Sequence, residues 1–128
     1  MKLLLVDDSA LNLSLLSEYM THVGHDVTCA KGGIECLEIL GHTAFDCVLL
    51  DIQMPDMDGI SVLEKIRSTP DPIMRSMPVI ALTALAFPKD KNMCLEAGAS
   101  LYVSKPFSFK ELAAILESLD AHIANVSE

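Results

Sequence analysis

Cys47-Val48-Leu49-Leu50-Asp51 runs directly into Ile52-Gln53-Met54-Pro55-Asp56-Met57-Asp58-Gly59. Four apolar residues and then an acid, followed by a turn marked by Pro and Gly, read as a buried strand with a carboxylate at its carboxyl end. Open α/β sheets place their ligands there. A second run, Leu3-Leu4-Leu5-Val6, ends the same way in Asp7-Asp8. Two strand ends carrying three carboxylates point to one site that needs a divalent cation.

Outward from these two runs, short apolar segments alternate with helical patterns. Strands are expected at Lys2–Val6, Asp26–Ala30, Asp46–Leu50, Pro78–Leu82 and Ser100–Ser104. The second is partly polar, as an edge strand would be. Leu11, Leu15, Leu16, Tyr19, Met20 and Val23 recur at helical spacing with Gly24 as a stop. Ile34, Cys36, Leu37 and Leu40 mark a short helix ending near Gly41, and Ile60, Leu63 and Ile66 line the next. Thr69-Pro70-Asp71-Pro72 breaks that helix and opens a surface loop. A fourth helix is expected from Pro88, tolerated in a first turn, to Ala97, with Gly98 as its stop. Leu112, Ile115, Leu116, Leu119 and Ile123 stripe the last. Five strands alternating with five helices, the strands this apolar, predict an α/β fold with a parallel sheet covered on both faces.

The 128 residues suit one domain, and a hydrophobic share of 51% suffices for a core without disulfide staples. The net charge of −9 argues against direct nucleic-acid binding, which needs clustered Lys and Arg. Cys29, Cys36, Cys47 and Cys94 match no zinc spacing and read as buried thiols in a reducing compartment. His22 and His25 flank a helix end and read as surface residues. No segment reaches the apolar length of a membrane span, and Asp7-Asp8 ends the first apolar run too early for a signal peptide. A cytoplasmic location without membrane insertion is the expectation.

In a parallel sheet the carboxyl ends of the strands share one edge. Asp7, Asp8, Asp51, Thr83 and Lys105 converge there. Carboxylates repel, by about 4 kcal/mol per pair at roughly 4 Å and an effective dielectric of about 20. Magnesium relieves this naturally, since it combines one or two carboxylates with waters and phosphate oxygens. An aspartate can also attack phosphorus to form an aspartyl phosphate. Such a transfer needs a metal, a cation and a hydroxyl donor around the moving group, and Lys105 and Thr83 supply the last two.

With these residues in place, the chain resembles a receiver domain of bacterial-type two-component signalling. The resemblance rests on Val6-Asp7-Asp8, on Leu50-Asp51-Ile52-Gln53-Met54-Pro55 with Met57-Asp58-Gly59, on Ala81-Leu82-Thr83-Ala84, and on Lys105-Pro106-Phe107. Each motif follows its own strand, and together they cover nearly the whole chain. Gln53-Met54-Pro55, Asn12 and Ala84-Leu85-Ala86 resemble receivers of hybrid histidine kinases and phosphorelays more than those of DNA-binding regulators.

The resemblance implies a flavodoxin-like (βα)5 three-layer sandwich with sheet order 2-1-3-4-5. The receiver would occupy residues 1–124, with 125–128 a frayed tail. It implies that Asp51 accepts a phosphoryl group, that Asp8 ligates Mg2+ with Asp7 assisting, and that Asp51 and the backbone carbonyl of Gln53 complete the protein ligands. Thr83 and Lys105 would bind phosphoryl oxygens, and small Ala84 would leave room beside them. Tyr102 matches the switch aromatic that turns inward as Thr83 moves, and Lys105-Pro106 is expected cis. The implied donor is a sensor histidine kinase or a histidine phosphotransfer domain, docking on the helix after Asp8 near Asn12 and Ser14. The responding surface is formed by the helix after the fourth strand, the fifth strand and the last helix. The domain would be a monomer or a weak homodimer, and no enzyme beyond its own phosphorylation and dephosphorylation. Leu85, two residues beyond Thr83, cannot hydrogen-bond an attacking water, so the phosphoryl lifetime should not be very short.

Rival readings exist for the same residues. Asp56 and Asp58 read as turn and helix-start residues, and the methionines as packing or loop residues. A Mg2+-dependent phosphohydrolase with an aspartyl nucleophile would want an acid two residues after Asp51, where Gln53 stands. A flavodoxin-like cofactor module would want a Ser-, Thr- or Gly-rich loop after the first strand, where Asp7-Asp8 would repel a phosphate.

Overall fold

The computed structural model describes residues 1–84 and 87–126, with side chains to residue 120. Leu85, Ala86 and residues 127–128 of the expected tail lie outside the described residues. In chain order the elements are β1 (Lys2–Val6), α1 (Ala10–His22), β2 (Asp26–Ala30), α2 (Gly33–Leu40), β3 (Cys47–Asp51), α3 (Gly59–Ser68), α4 (Pro72–Arg75), β4 (Val79–Thr83), α5 (Pro88–Ala97), β5 (Leu101–Ser104) and α6 (Phe109–Val126). All pairings are parallel and the sheet order is β2-β1-β3-β4-β5.

Both faces of the sheet are covered. Successive side chains of a strand point to opposite faces, and the core divides accordingly. Leu4, Val6, Val48, Leu50, Val79 and Ala81 meet Cys36 and Leu40 of α2, Val62, Leu63 and Ile66 of α3, and Cys94 of α5. Leu3, Leu5, Cys47, Leu49, Ile80 and Leu82 meet Leu13, Leu16 and Met20 of α1 and Leu112, Ala113 and Leu116 of α6. The outer strands β2 and β5 are only part-buried, as edge strands are. Gly24 and Gly98 stop α1 and α5 with positive φ, +104° and +117°.

The structure corrects the sequence reading in three places. Strands β3 and β4 sit one residue later than expected, so Asp51 and Thr83 are the last residues of their strands rather than the first beyond them. The stretch after Thr69 is not all loop: the Asp71 side chain accepts the Ile73 N–H at 3.0 Å and caps the single-turn helix α4, with Pro72 at its start. The described residues therefore hold six helices, not five. In α1 the buried residues are Leu13, Leu16 and Met20, while Leu11 and Leu15, and Val23 just past its end, are exposed. With Leu at 11, 13, 15 and 16, periodicity alone does not fix the phase of that helix.

Candidate functional site

Strand register brings the site residues together. Val6 pairs with Leu50, so Asp7 follows β1 beside Asp51 at the end of β3. Asp51 pairs with Leu82, and Thr83 pairs with Ser104, so Lys105 follows β5 at the same edge. The chain runs from β1 to β2 on one side and returns to β3 on the other. Asp7 and Asp51 thus flank the point where the winding reverses, the crevice in which such sheets bind ligands.

Asp7, Asp8 and Asp51 each offer a carboxylate oxygen, and these lie within 4.8 Å of one another. Asp51 is buried, Asp7 half-buried and Asp8 exposed. The Asp51 Oδ1 atom accepts the Gln53 N–H at 3.2 Å and lies 3.5 Å from Lys105 Nζ. Burial pushes the Asp51 carboxyl above its ordinary value. The Lys105 charge and the Gln53 N–H oppose this, and the negative charge of Asp7 adds to it. Asp7 is oriented by the Ser9 N–H on Oδ1 at 2.9 Å and by Asn12 Nδ2 on Oδ2 at 3.4 Å. Ser9 in turn caps α1 by accepting the Asn12 N–H at 3.2 Å. Asp7 is thus fixed at a helix start.

Thr83 is fully buried, and its carbonyl accepts the Lys105 N–H at 2.7 Å, which ties the ends of β4 and β5 together. The Lys105-Pro106 bond is cis. Tyr102 does not join the carboxylate cluster. It packs half-buried against the face that contains Cys94, and its hydroxyl has no partner among the described residues. Burial, then the nearby Cys94 and Asp90, raise its pKa.

The turn after Asp51 is held tightly. Asp58 caps α3, accepting the Ser61 N–H at 2.9 Å. The Gly59 N–H donates to the Ile52 carbonyl at 2.8 Å. A Cβ on Gly59 would stand 2.6 Å from Ile52 Cα and 2.9 Å from the Asp51 carbonyl oxygen, both backbone atoms, so only glycine fits. Met54 is buried and Met57 packs against the core, whereas Met93 is exposed. The part sequence reasoning missed is Asp56. Its side chain reaches beyond its own loop to α2, accepting the N–H groups of Gly33 and Ile34. Burial works against its ionised form. The N–H groups of Ile34, Met57, Gly33 and Asp56 itself outweigh that and hold the carboxyl below its ordinary value.

The donor set fits a hard divalent cation. Three carboxylates, one of them buried, face one ammonium, which leaves an excess of negative charge that oxygen-seeking magnesium would neutralise. Asp7, Asp8 and Asp51 are the groups that would hold it. Among the described residues no helix is long and apolar enough to cross a membrane.

Known proteins match along nearly all of this chain. The family model described as response regulator receiver domain matches residues 3–117. Sensor protein GacS of Pseudomonas syringae pv. syringae is 36% identical over 116 residues, covering 90% of this chain and 13% of GacS. Probable transcriptional regulator ycf27 of Cyanidium caldarium is 40% identical over 117 residues, 91% of this chain and 45% of ycf27. The chain thus spans less than half the length of either relative. Among solved structures, the receiver domain of sensor histidine kinase PA1611 from Pseudomonas aeruginosa PAO1, with a magnesium ion coordinated in its active-site cleft, superposes with a TM-score of 0.83 at 34% identity. That match covers 92% of this chain and 95% of the other.

Proposed function

The chain belongs to the response regulator receiver domain family of two-component signalling, and from that premise we propose that Asp51 is its phosphoacceptor. The observation that carries this reading is the convergence on one sheet edge of Asp51, two further carboxylates within 4.8 Å, and the Lys105 ammonium at 3.5 Å. One oxygen of Asp51 attacks phosphorus, and the P–N bond to a donor imidazole breaks. Its electrons return to the ring nitrogen, which takes up a proton to leave neutral histidine. Lys105 and the Thr83 hydroxyl stabilise charge on the transferring oxygens. A bound Mg2+ supplies further neutralisation of that charge, and Asp7, Asp8, Asp51 and the Gln53 carbonyl are the groups to hold it.

The phosphoryl group favours the state in which Thr83 and Lys105 close on it. Tyr102 repacks, and the surface of α5, β5 and α6 changes; this is a population shift rather than a new fold. The donor, a sensor histidine kinase or histidine phosphotransfer domain, docks on α1. Leu11 and Leu15 stand exposed there beside Asn12, an apolar face suited to a helical partner. Gln53 in place of an acid two residues after Asp51 supports storage of the phosphoryl group over multiple turnover. The unit is residues 1–124, cytoplasmic, a monomer or weak homodimer, without direct contact to nucleic acid.

The test is transfer from a phosphorylated histidine kinase in Mg2+. Label passes to the wild type and not to Asp51→Asn; equal labelling of both would refute the assignment. A Leu11→Asp, Leu15→Asp variant slows transfer from the kinase and leaves labelling by a small phosphodonor unchanged.

A further inference from the structure

Asp56 lies in the loop between β3 and α3, yet its carboxylate serves another element. Its two oxygens accept the N–H groups of Gly33 and Ile34, each at 3.3 Å. These open α2, where N–H groups have no partner within the helix. The cap position itself is Gly32, which has no side chain to offer. A Cβ on Gly32 would meet an Asp56 carboxylate oxygen at 2.5 Å. The backbone of Gly32 is extended, φ −177°, a conformation open to any residue. Glycine stands there to admit the Asp56 carboxylate, not to make a turn.

The β3–α3 loop is thereby tied at both ends and in the middle. Gln53 N–H is bonded to Asp51, Gly59 N–H to Ile52, and Asp56 between them to α2. We propose that Asp56 is a positioning residue for the metal half of the site: by capping α2 it holds the loop, and with it the Gln53 carbonyl, in the arrangement that takes Mg2+. The proposal rests on the reading of Asp7, Asp8, Asp51 and Gln53 as the magnesium ligands.

Two substitutions break this contact in opposite ways. Asp56→Ala removes the carboxylate and a negative charge. Gly32→Ala keeps the charge and displaces the exposed carboxylate by steric contact, so a loss of affinity in that variant cannot come from charge alone. Titration calorimetry with MgCl2 on the whole chain compares wild type, both single variants and the double variant. Each single variant binds Mg2+ roughly three- to tenfold more weakly, the scale of a lost cap acting through a metal ligand. The double variant binds no more weakly than Asp56→Ala, because both changes remove one contact. Amide hydrogen exchange at Gly33 and Ile34 is faster in all three variants.

Unchanged exchange at Gly33 and Ile34 in Asp56→Ala overturns the proposal, as do single variants that bind Mg2+ like the wild type. A double variant weakened by the product of the two single effects also overturns it. Wild type that binds no Mg2+ overturns the metal reading itself, and this inference with it.

Discussion

The Lys105 Nζ atom lies 3.5 Å from Asp51 Oδ1, although β4 separates the strands that carry them. Lysine reaches across a whole strand because its stem is long and the β4 edge ends in the buried Thr83. The contact has two consequences. It lowers the penalty of ionising a buried Asp51, and it aims a cation at the oxygens of any group attached there. Lys105→Met therefore lifts the Asp51 carboxyl further and slows phosphorylation by a small phosphodonor by roughly a hundredfold. Initial labelling rates in saturating Mg2+ measure this; an unchanged rate contradicts it.

Removing the Asp51 charge stabilises the protein when no metal is present. The folded-state pKa of Asp51 is raised above 3.8, so the folded chain holds this proton more tightly than the unfolded one. Its destabilising contribution is absent below that value, grows as pH rises through the raised pKa, and persists above. Asp51→Asn raises the Tm at neutral pH, and the gain disappears in acid. Lys105 is 30% exposed, so water satisfies it in the variant. Mg2+ reverses the comparison: at about a hundred times its Kd it adds about 2.7 kcal/mol to the wild type and much less to the variant.

Gly59→Ala destabilises the fold by about 1–3 kcal/mol, because the added carbon meets backbone atoms of Ile52 and Asp51 that cannot turn aside. The same displacement moves Asp51 itself, so labelling falls along with the denaturant midpoint. Urea unfolding and phosphorylation of the same sample check both. A variant as stable as wild type refutes the close approach.

Thr83→Ala separates acceptance from response. The label still forms on Asp51, more slowly. The spectroscopic change that phosphorylation produces in fluorotyrosine at position 102 is lost. A full Tyr102 response in Thr83→Ala removes Thr83 from the switch.

Burial pushes the Cys36 and Cys47 thiols up to about 12. At pH 8 almost no thiolate exists at either, so an alkylating reagent modifies them only after unfolding. Because the folded state keeps these protons above the ordinary value of 9.0, stability falls as pH rises past that point. Alkylation of either residue in the native protein at pH 8, at the rate of the unfolded chain, contradicts their burial.

The sheet edge was legible because its residues follow continuous apolar runs: Asp7 and Asp8 after Leu3–Val6, Asp51 after Cys47–Leu50. Parallel strands put their ends on one edge whatever the loops do. Helix α1 was legible as a helix but not in phase, since leucines at 11, 13, 15 and 16 permit more than one buried stripe. Helix α4 was hidden because Asp71-Pro72 signals a break and a helix start equally. The partner of Asp56 was illegible for a different reason. It stands 23 residues upstream, and a contact at that separation leaves no periodic trace along the chain.

The atom that carries the phosphoryl group can be identified chemically. After incubation with a small phosphodonor and Mg2+, borohydride reduction converts an aspartyl phosphate to homoserine, and peptide mass spectrometry locates it. Homoserine at position 51, absent without Mg2+ and absent in Asp51→Asn, is the predicted result. Homoserine at Asp7 or Asp8, or label that survives in Asp51→Asn, would contradict it.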